Sequence, residues 1–132
     1  MKKSGILNVQ LSALIAALGH KDLFLIGDCG MPIPPGVPIV DLVLVQGVPT
    51  FEQVVRAVMN EVKAEKITIA ENMDVRNPKN RAVVDEVFAG VETEIIPHEE
   101  LKKLSARCRF AVRTGENTPL ANVIVQCGVA FG

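Results

Sequence analysis

Neither tryptophan nor tyrosine occurs among the 132 residues, and five phenylalanines are the whole aromatic complement. A single-strand nucleic-acid platform needs aromatics to stack bases and a basic surface to hold phosphates. With 14 basic against 15 acidic residues and a net charge of −1, the chain offers neither, which argues against a nucleic-acid partner or a polyanion-binding face. Long apolar runs are missing too, so no segment reads as a membrane span. Met1, Lys2 and Lys3 followed by Ile6 and Leu7 imitate a secretion signal, but Asn8, Gln10 and Ser12 interrupt the run. Leu7, Leu11, Leu14, Ile15 and Leu18 instead keep the spacing of an amphipathic helix.

Paired cysteines are also lacking. Cys29, Cys108 and Cys127 are odd in number and show no framework spacing, which points to small buried hydrophobes in a reducing compartment. Cys29 follows an Asp in a Gly-rich turn and has a sharper reading as a thiol nucleophile, which we weigh well below packing. Metal chemistry is disfavoured, since His98-Glu99-Glu100-Leu101-Lys102 has no second His four residues on. Gly27-Asp28-Cys29-Gly30 matches neither phosphate-cradling glycine pattern and runs into prolines rather than a helix. No nucleophile-elbow motif surrounds any Ser. Proton transfer among neutral, hydroxyl-rich species is the chemistry that remains.

What is present is an alternation of strand and helix patterns with no linker, repeat or low-complexity stretch, consistent with a single domain over residues 1–132. A first helix is expected from an Asn8 cap to Leu18, with Gly19 as the left-handed stop. Strands are expected at 23–28 and 40–45, then a helix over 51–62 opened by a Thr50/Gln53 capping box. A strand at 66–70, a helix from Pro78 to Gly90, a strand at 93–96 and a short helix from Pro97 to Leu104 follow. Strands at 110–113 and 122–127 complete an α/β chain with a largely parallel or mixed sheet covered on both faces.

Only two histidines exist, His20 and His98. His20 has Asp22 two residues on and Asp28 at the far end of the next strand, where α/β sheets carry their sites. Asp28 suits a ligand hydroxyl as an acceptor, and equally suits a plain turn. The segment 113–122, rich in hydrogen-bonding side chains, runs directly into an apolar strand. Its polar groups are therefore expected to be held rigidly at the rim of the core.

These residues resemble the ribose pyranase and fucose mutarotase family of bacterial sugar enzymes over nearly the whole chain. The likeness runs through Ile6-Leu7-Asn8, Leu18-Gly19-His20 with Asp22, Asp28 with Gly30, Pro32 and Pro34, and Gln46-Gly47-Val48-Pro49 with Phe51. It continues in His98-Glu99-Glu100, Arg113-Thr114-Gly115-Glu116, Thr118-Pro119, Ala121-Asn122 and Gly128-Val129 with Phe131. The resemblance implies a three-layer α/β/α fold and a cofactor-free isomerase acting on a monosaccharide, interconverting ring forms and anomers of D-ribose. It further implies a cytoplasmic homo-oligomer, commonly a decameric ring, with sites between subunits and the C-terminal loop completing a neighbour's pocket. By matching positions, His20 corresponds to the family's proton donor, Asp28 and His98 to substrate-binding residues, and Leu120, Ala121 and Asn122 to the sugar-contacting tripeptide. Two positions depart from the pattern: Leu120 stands where Tyr is usual, and Cys29 where Ala is usual. A mutarotase for another sugar such as L-fucose, and a non-catalytic sugar-binding protein, are the alternative readings.

Overall fold

The computed structural model describes residues 1–132 and carries a six-stranded mixed sheet with helices packed on it. In chain order the elements are α1 (Val9–Ala16), β1 (Leu23–Gly27), β2 (Ile39–Asp41), α2 (Phe51–Met59), β3 (Ala64–Ala70), α3 (Met73–Arg76), α4 (Pro78–Val87), β4 (Glu92–Ile96), α5 (His98–Leu104), a 3₁₀ turn (Ser105–Arg107), β5 (Ala111–Arg113) and β6 (Val123–Cys127).

Local signals account for most boundaries. Asn8 caps α1 through its side chain, 2.8 Å from the Leu11 N–H. Both bonds of the Thr50/Gln53 capping box form at the start of α2. Asn77 and Pro78 open α4, and Gly90 (φ +80) turns the chain out of it. Two expectations differ from what forms. Helix α1 stops at Ala16, and the left-handed residue is Lys21 (φ +71) rather than Gly19, whose N–H is taken by Asp22 Oδ2 at 2.8 Å. The strand expected at 40–45 is only Ile39–Asp41. The Asp41 carboxylate accepts the Val43 N–H at 3.2 Å, a local bond that competes with the ladder and turns the chain away, leaving Leu44 and Val45 exposed.

The strand order is β2-β5-β1-β6-β3-β4. β6 runs antiparallel to β1 and β3, while β2 with β5, β5 with β1, and β3 with β4 are parallel. Five strands thus end at the same edge, and β6 begins there.

Side chains alternate across a strand. Thr68 and Ile124 therefore face α5 and the 3₁₀ turn, with which they line a common groove. Ile67, Ile69, Val123 and Val125 face the other way, fully buried, beneath the layer that contains α2 and α4. Twenty-eight buried residues form one continuous core, with Phe24 and Phe110 stacked at 5.3 Å in its middle.

Candidate functional site

Asp28 emerges where β1 ends, at the edge shared by the five carboxyl-terminal strand ends, the usual place for ligands in such sheets. It is fixed by Asn122, the residue just before β6. The Asp28 N–H donates to Asn122 Oδ1 at 3.0 Å, and Asn122 Nδ2 donates to Asp28 Oδ2 at 3.1 Å. The Gly30 N–H closes the turn on Asp28 Oδ1 at 3.0 Å. Gly27 makes room for this pair, since a Cβ there would stand 2.9 Å from Asn122 Oδ1. Burial pushes the Asp28 carboxyl above its ordinary 3.8, opposed by hydrogen bonds from Gly30, Asn122 and Met31 and by the charge of His98.

His98 opens α5 immediately after β4, at the same edge. Its Nδ1 is enclosed and has no hydrogen-bond partner. A buried polar atom without a partner is costly, which sets His98 apart from the chain's other buried side-chain polar groups.

The loop carrying Asn122 is held by polar groups, as its composition led us to expect. The Thr114 hydroxyl donates to the Gly27 carbonyl at 2.8 Å and accepts the Glu116 N–H at 3.1 Å. The buried Glu116 carboxylate accepts the Phe51 N–H at 3.0 Å, at the start of α2, and the Thr118 hydroxyl at 2.7 Å. Asn77 Nδ2 donates to Thr118 Oγ1 and the Pro119 carbonyl, and Asn80 Nδ2 adds a bond to Thr118 Oγ1. Leu120 takes a left-handed conformation (φ +64) with its side chain packed in the core, and Ala121 is fully buried. What this pair presents outward is therefore mostly backbone. Asn122 bonds Asp28 of its own chain, so the loop and Asp28 lie on the same side of the site.

His20 is not among these residues. It precedes β1, at the opposite end of a five-residue strand that spans about 17 Å, so one monosaccharide cannot touch both His20 and Asp28 of the same chain. Its Nε2 lies 3.0 Å from Glu65 Oε2, and the side chain is 48% exposed.

Three hollows bear on the assignment. One of about 370 Å³ lies against Asp28, Cys29, Gly30, Gln46 and the 116–119 loop. Another of about 350 Å³ lies beside His20, walled by Ile15, Leu18, Val62, Val129 and Phe131. The largest, about 710 Å³, runs under α5 and touches none of His20, Asp28 and His98. Chemistry rather than size assigns the site, because Lys66 with Glu94 and Lys103 with Glu100 already pair within that largest groove. Of the cysteines, Cys108 and Cys127 are buried, their thiols pushed up to about 12 and about 11, while Cys29 is half-exposed at the site. Sequence reasoning missed Asn80, Glu65 and Gln126 and placed Glu116 in the polar loop without a partner, because each acts on a residue distant in sequence; Asn77 carried a local signal, as a cap.

A family model described as the RbsD / FucU transport protein family matches residues 1–130. A D-ribose pyranase of Corynebacterium glutamicum is 50% identical over 131 residues, covering 99% of this chain and 100% of that protein. The structure of Bacillus subtilis RbsD complexed with D-ribose is 40% identical and superposes with a TM-score of 0.95, covering 99% and 100% of the two chains. The fucose mutarotase of Streptococcus pneumoniae, solved in complex with L-fucose, is 17% identical with a TM-score of 0.79 over 94% of each chain, a likeness of fold. With the match spanning both edges of the sheet and the segments that carry His20, Asp28, His98 and Asn122, the chain belongs to the RbsD / FucU transport protein family.

Proposed function

We propose that the protein is a D-ribose pyranase, interconverting the pyranose and furanose forms and the anomers of D-ribose by ring opening and closure without a cofactor. The observation that carries this reading is the Asp28–Asn122 pair at the sheet edge, which borders a polar hollow of about 370 Å³ and feels the charge of His98, an arrangement suited to sugar hydroxyls. Full-length identity of 50% to a D-ribose pyranase supports the choice of ribose.

Opening a cyclic hemiacetal requires a proton at the ring oxygen while the anomeric hydroxyl loses one. In this reading Asp28 and His98 fix hydroxyls, the 120–122 backbone lines the pocket and His20 is the proton donor. General acid–base help of this kind contributes roughly 10²–10⁴-fold. Because His20 and Asp28 lie at opposite edges, His20 comes from a neighbouring subunit, which brings its own hollow against the Asp28 edge. The assembly is a homodecameric ring working in the cytoplasm. Exposed Leu7, Val9, Leu44, Val45 and Val48 supply apolar surface for such contacts.

The test is saturation-transfer NMR of ring-form exchange on D-ribose and a panel that includes L-fucose. Acceleration is expected for D-ribose and its loss in His20→Ala. No acceleration of any sugar by the wild type would leave a sugar-binding protein, and fastest exchange with L-fucose would move the substrate.

A further inference from the structure

Glu65 is the extra residue where the β3–β6 ladder slips: Ala64 pairs with Cys127 and Lys66 with Gln126, so no β6 residue opposes it. A bulge of this kind turns a side chain out of the regular alternation. The redirected carboxylate meets two partners. Gln126 Nε2 donates to Oε1 at 2.7 Å, and His20 Nε2 lies 3.0 Å from Oε2. Gly128 admits this arrangement, since a Cβ there would lie 3.2 Å from Glu65 Cβ.

The turn that bears His20 is fixed independently. The Lys21 N–H donates to the Cys127 carbonyl at 2.9 Å, the Cys127 N–H to the Asp22 carbonyl at 2.9 Å, and the Gly19 N–H to Asp22 Oδ2. Lys21 holds a left-handed conformation to complete it, which a non-glycine residue adopts only when its surroundings impose it. A bulge, a left-handed residue and a tethering amide thus converge on one ion pair between exposed groups. Exposed pairs add little to stability, so the investment is in geometry.

We infer that Glu65, moored by Gln126, is the positioning residue for His20: it engages Nε2–H and leaves Nδ1 as the nitrogen that serves the sugar. This rests on the reading of His20 as proton donor. The Nδ1 proton of the imidazolium passes to the ring oxygen as the bond from that oxygen to the anomeric carbon breaks, the bonding pair staying on oxygen. The anomeric hydroxyl loses its proton to water, the aldehyde forms, and His20 regains a proton from water. A carboxylate held ionised suits the task, and the hydrogen bond from Gln126, followed by that from His20, holds Glu65 below its usual range. Binding through Nε2 decides which nitrogen faces the reactant, as in other carboxylate–imidazole pairs.

The test compares Glu65→Ala, Gln126→Ala and His20→Ala with wild type, each confirmed to have the same assembly size by light scattering. In Glu65→Ala the maximal ribose exchange rate is expected to fall roughly tenfold or more with little change in half-saturation, by analogy with other groups that orient a reactive histidine. Gln126→Ala is expected to lose less. Imidazole nitrogen NMR of wild type at a pH where His20 is neutral is expected to show the proton on Nε2, and Glu65→Ala to redistribute it. Wild-type exchange in Glu65→Ala, or a proton on Nδ1 in wild type, overturns the positioning role even where His20→Ala is inactive. Full exchange in His20→Ala instead removes the reading on which the inference rests.

Discussion

Asp28 and Asn122 hold each other through two hydrogen bonds, so each is a lever on the other. Asn122 is 1% exposed, and Asn122→Ala leaves the Asp28 N–H and carboxylate without those bonds. A destabilisation of about 1–3 kcal/mol is expected from such a loss, read as a lower urea midpoint, together with weaker ribose exchange. Asp28 also gives stability a pH dependence of known sign. Its folded pKa lies above the ordinary value, so the native state holds the proton more tightly than the unfolded chain. The contribution is present in full below pH 3.8 and is lost as pH rises through the raised value. Asp28→Asn is expected to remove this fall with rising pH, seen by comparing urea midpoints of the two proteins across the acid range. The thiols differ by burial in the same way. Alkylation of the native protein near pH 8 is expected to mark Cys29 and spare Cys108 and Cys127, checked by mass spectrometry of peptides.

At the scale of elements, the 113–122 loop ties β5, α2, α4 and β6 into one rim. Glu116 joins the start of α2 to the loop through the Phe51 N–H and the Thr118 hydroxyl. Glu116→Ala strands the buried Phe51 N–H and releases the Thr118 hydroxyl, and about 1–3 kcal/mol of stability is expected to go. Gly27→Ala is expected to act more locally, pressing Asn122 Oδ1 away from the Asp28 N–H and lowering ribose exchange while the fold persists, as judged by unchanged far-ultraviolet circular dichroism. Most elements were legible from local chemistry: the Asn8, Thr50 and Asn77 caps, the buried run of β1 and the stop at Gly90 each act within a few residues. The strand expected at 40–45 failed because hydrophobicity alone does not reveal that Asp41 bonds its own backbone. The four-residue α3 carried no periodicity to read.

For the whole molecule, the sheet topology separates the two halves of the proposed chemistry. His20 and Glu65 lie where β1 and β3 begin, and Asp28, His98 and Asn122 where β1 and β4 end and β6 begins. A complete site then requires two copies. Mixing inactive His20→Ala and Asp28→Ala proteins under conditions that exchange subunits is expected to restore about a quarter of wild-type activity, since random neighbours in a symmetric ring pair the two intact residues one time in four. No recovery despite exchange would mean that the two residues serve one chain, or that one of them serves none.

Composition and spacing alone determined that this is an α/β chain of alternating elements, that polar groups crowd the approach to the last strand, and that two histidines and one aspartate were the residues to watch. Those signals are local, set by backbone sterics, capping and burial periodicity. Only the tertiary structure decided which of them meet. Reversal of β6 set Asn122 beside Asp28 across 94 positions of sequence and carried Gln126 to the other edge, where a bulge in β3 turned Glu65 toward His20. Strand order and register follow from how the entire core packs, so no window of neighbouring residues contains them.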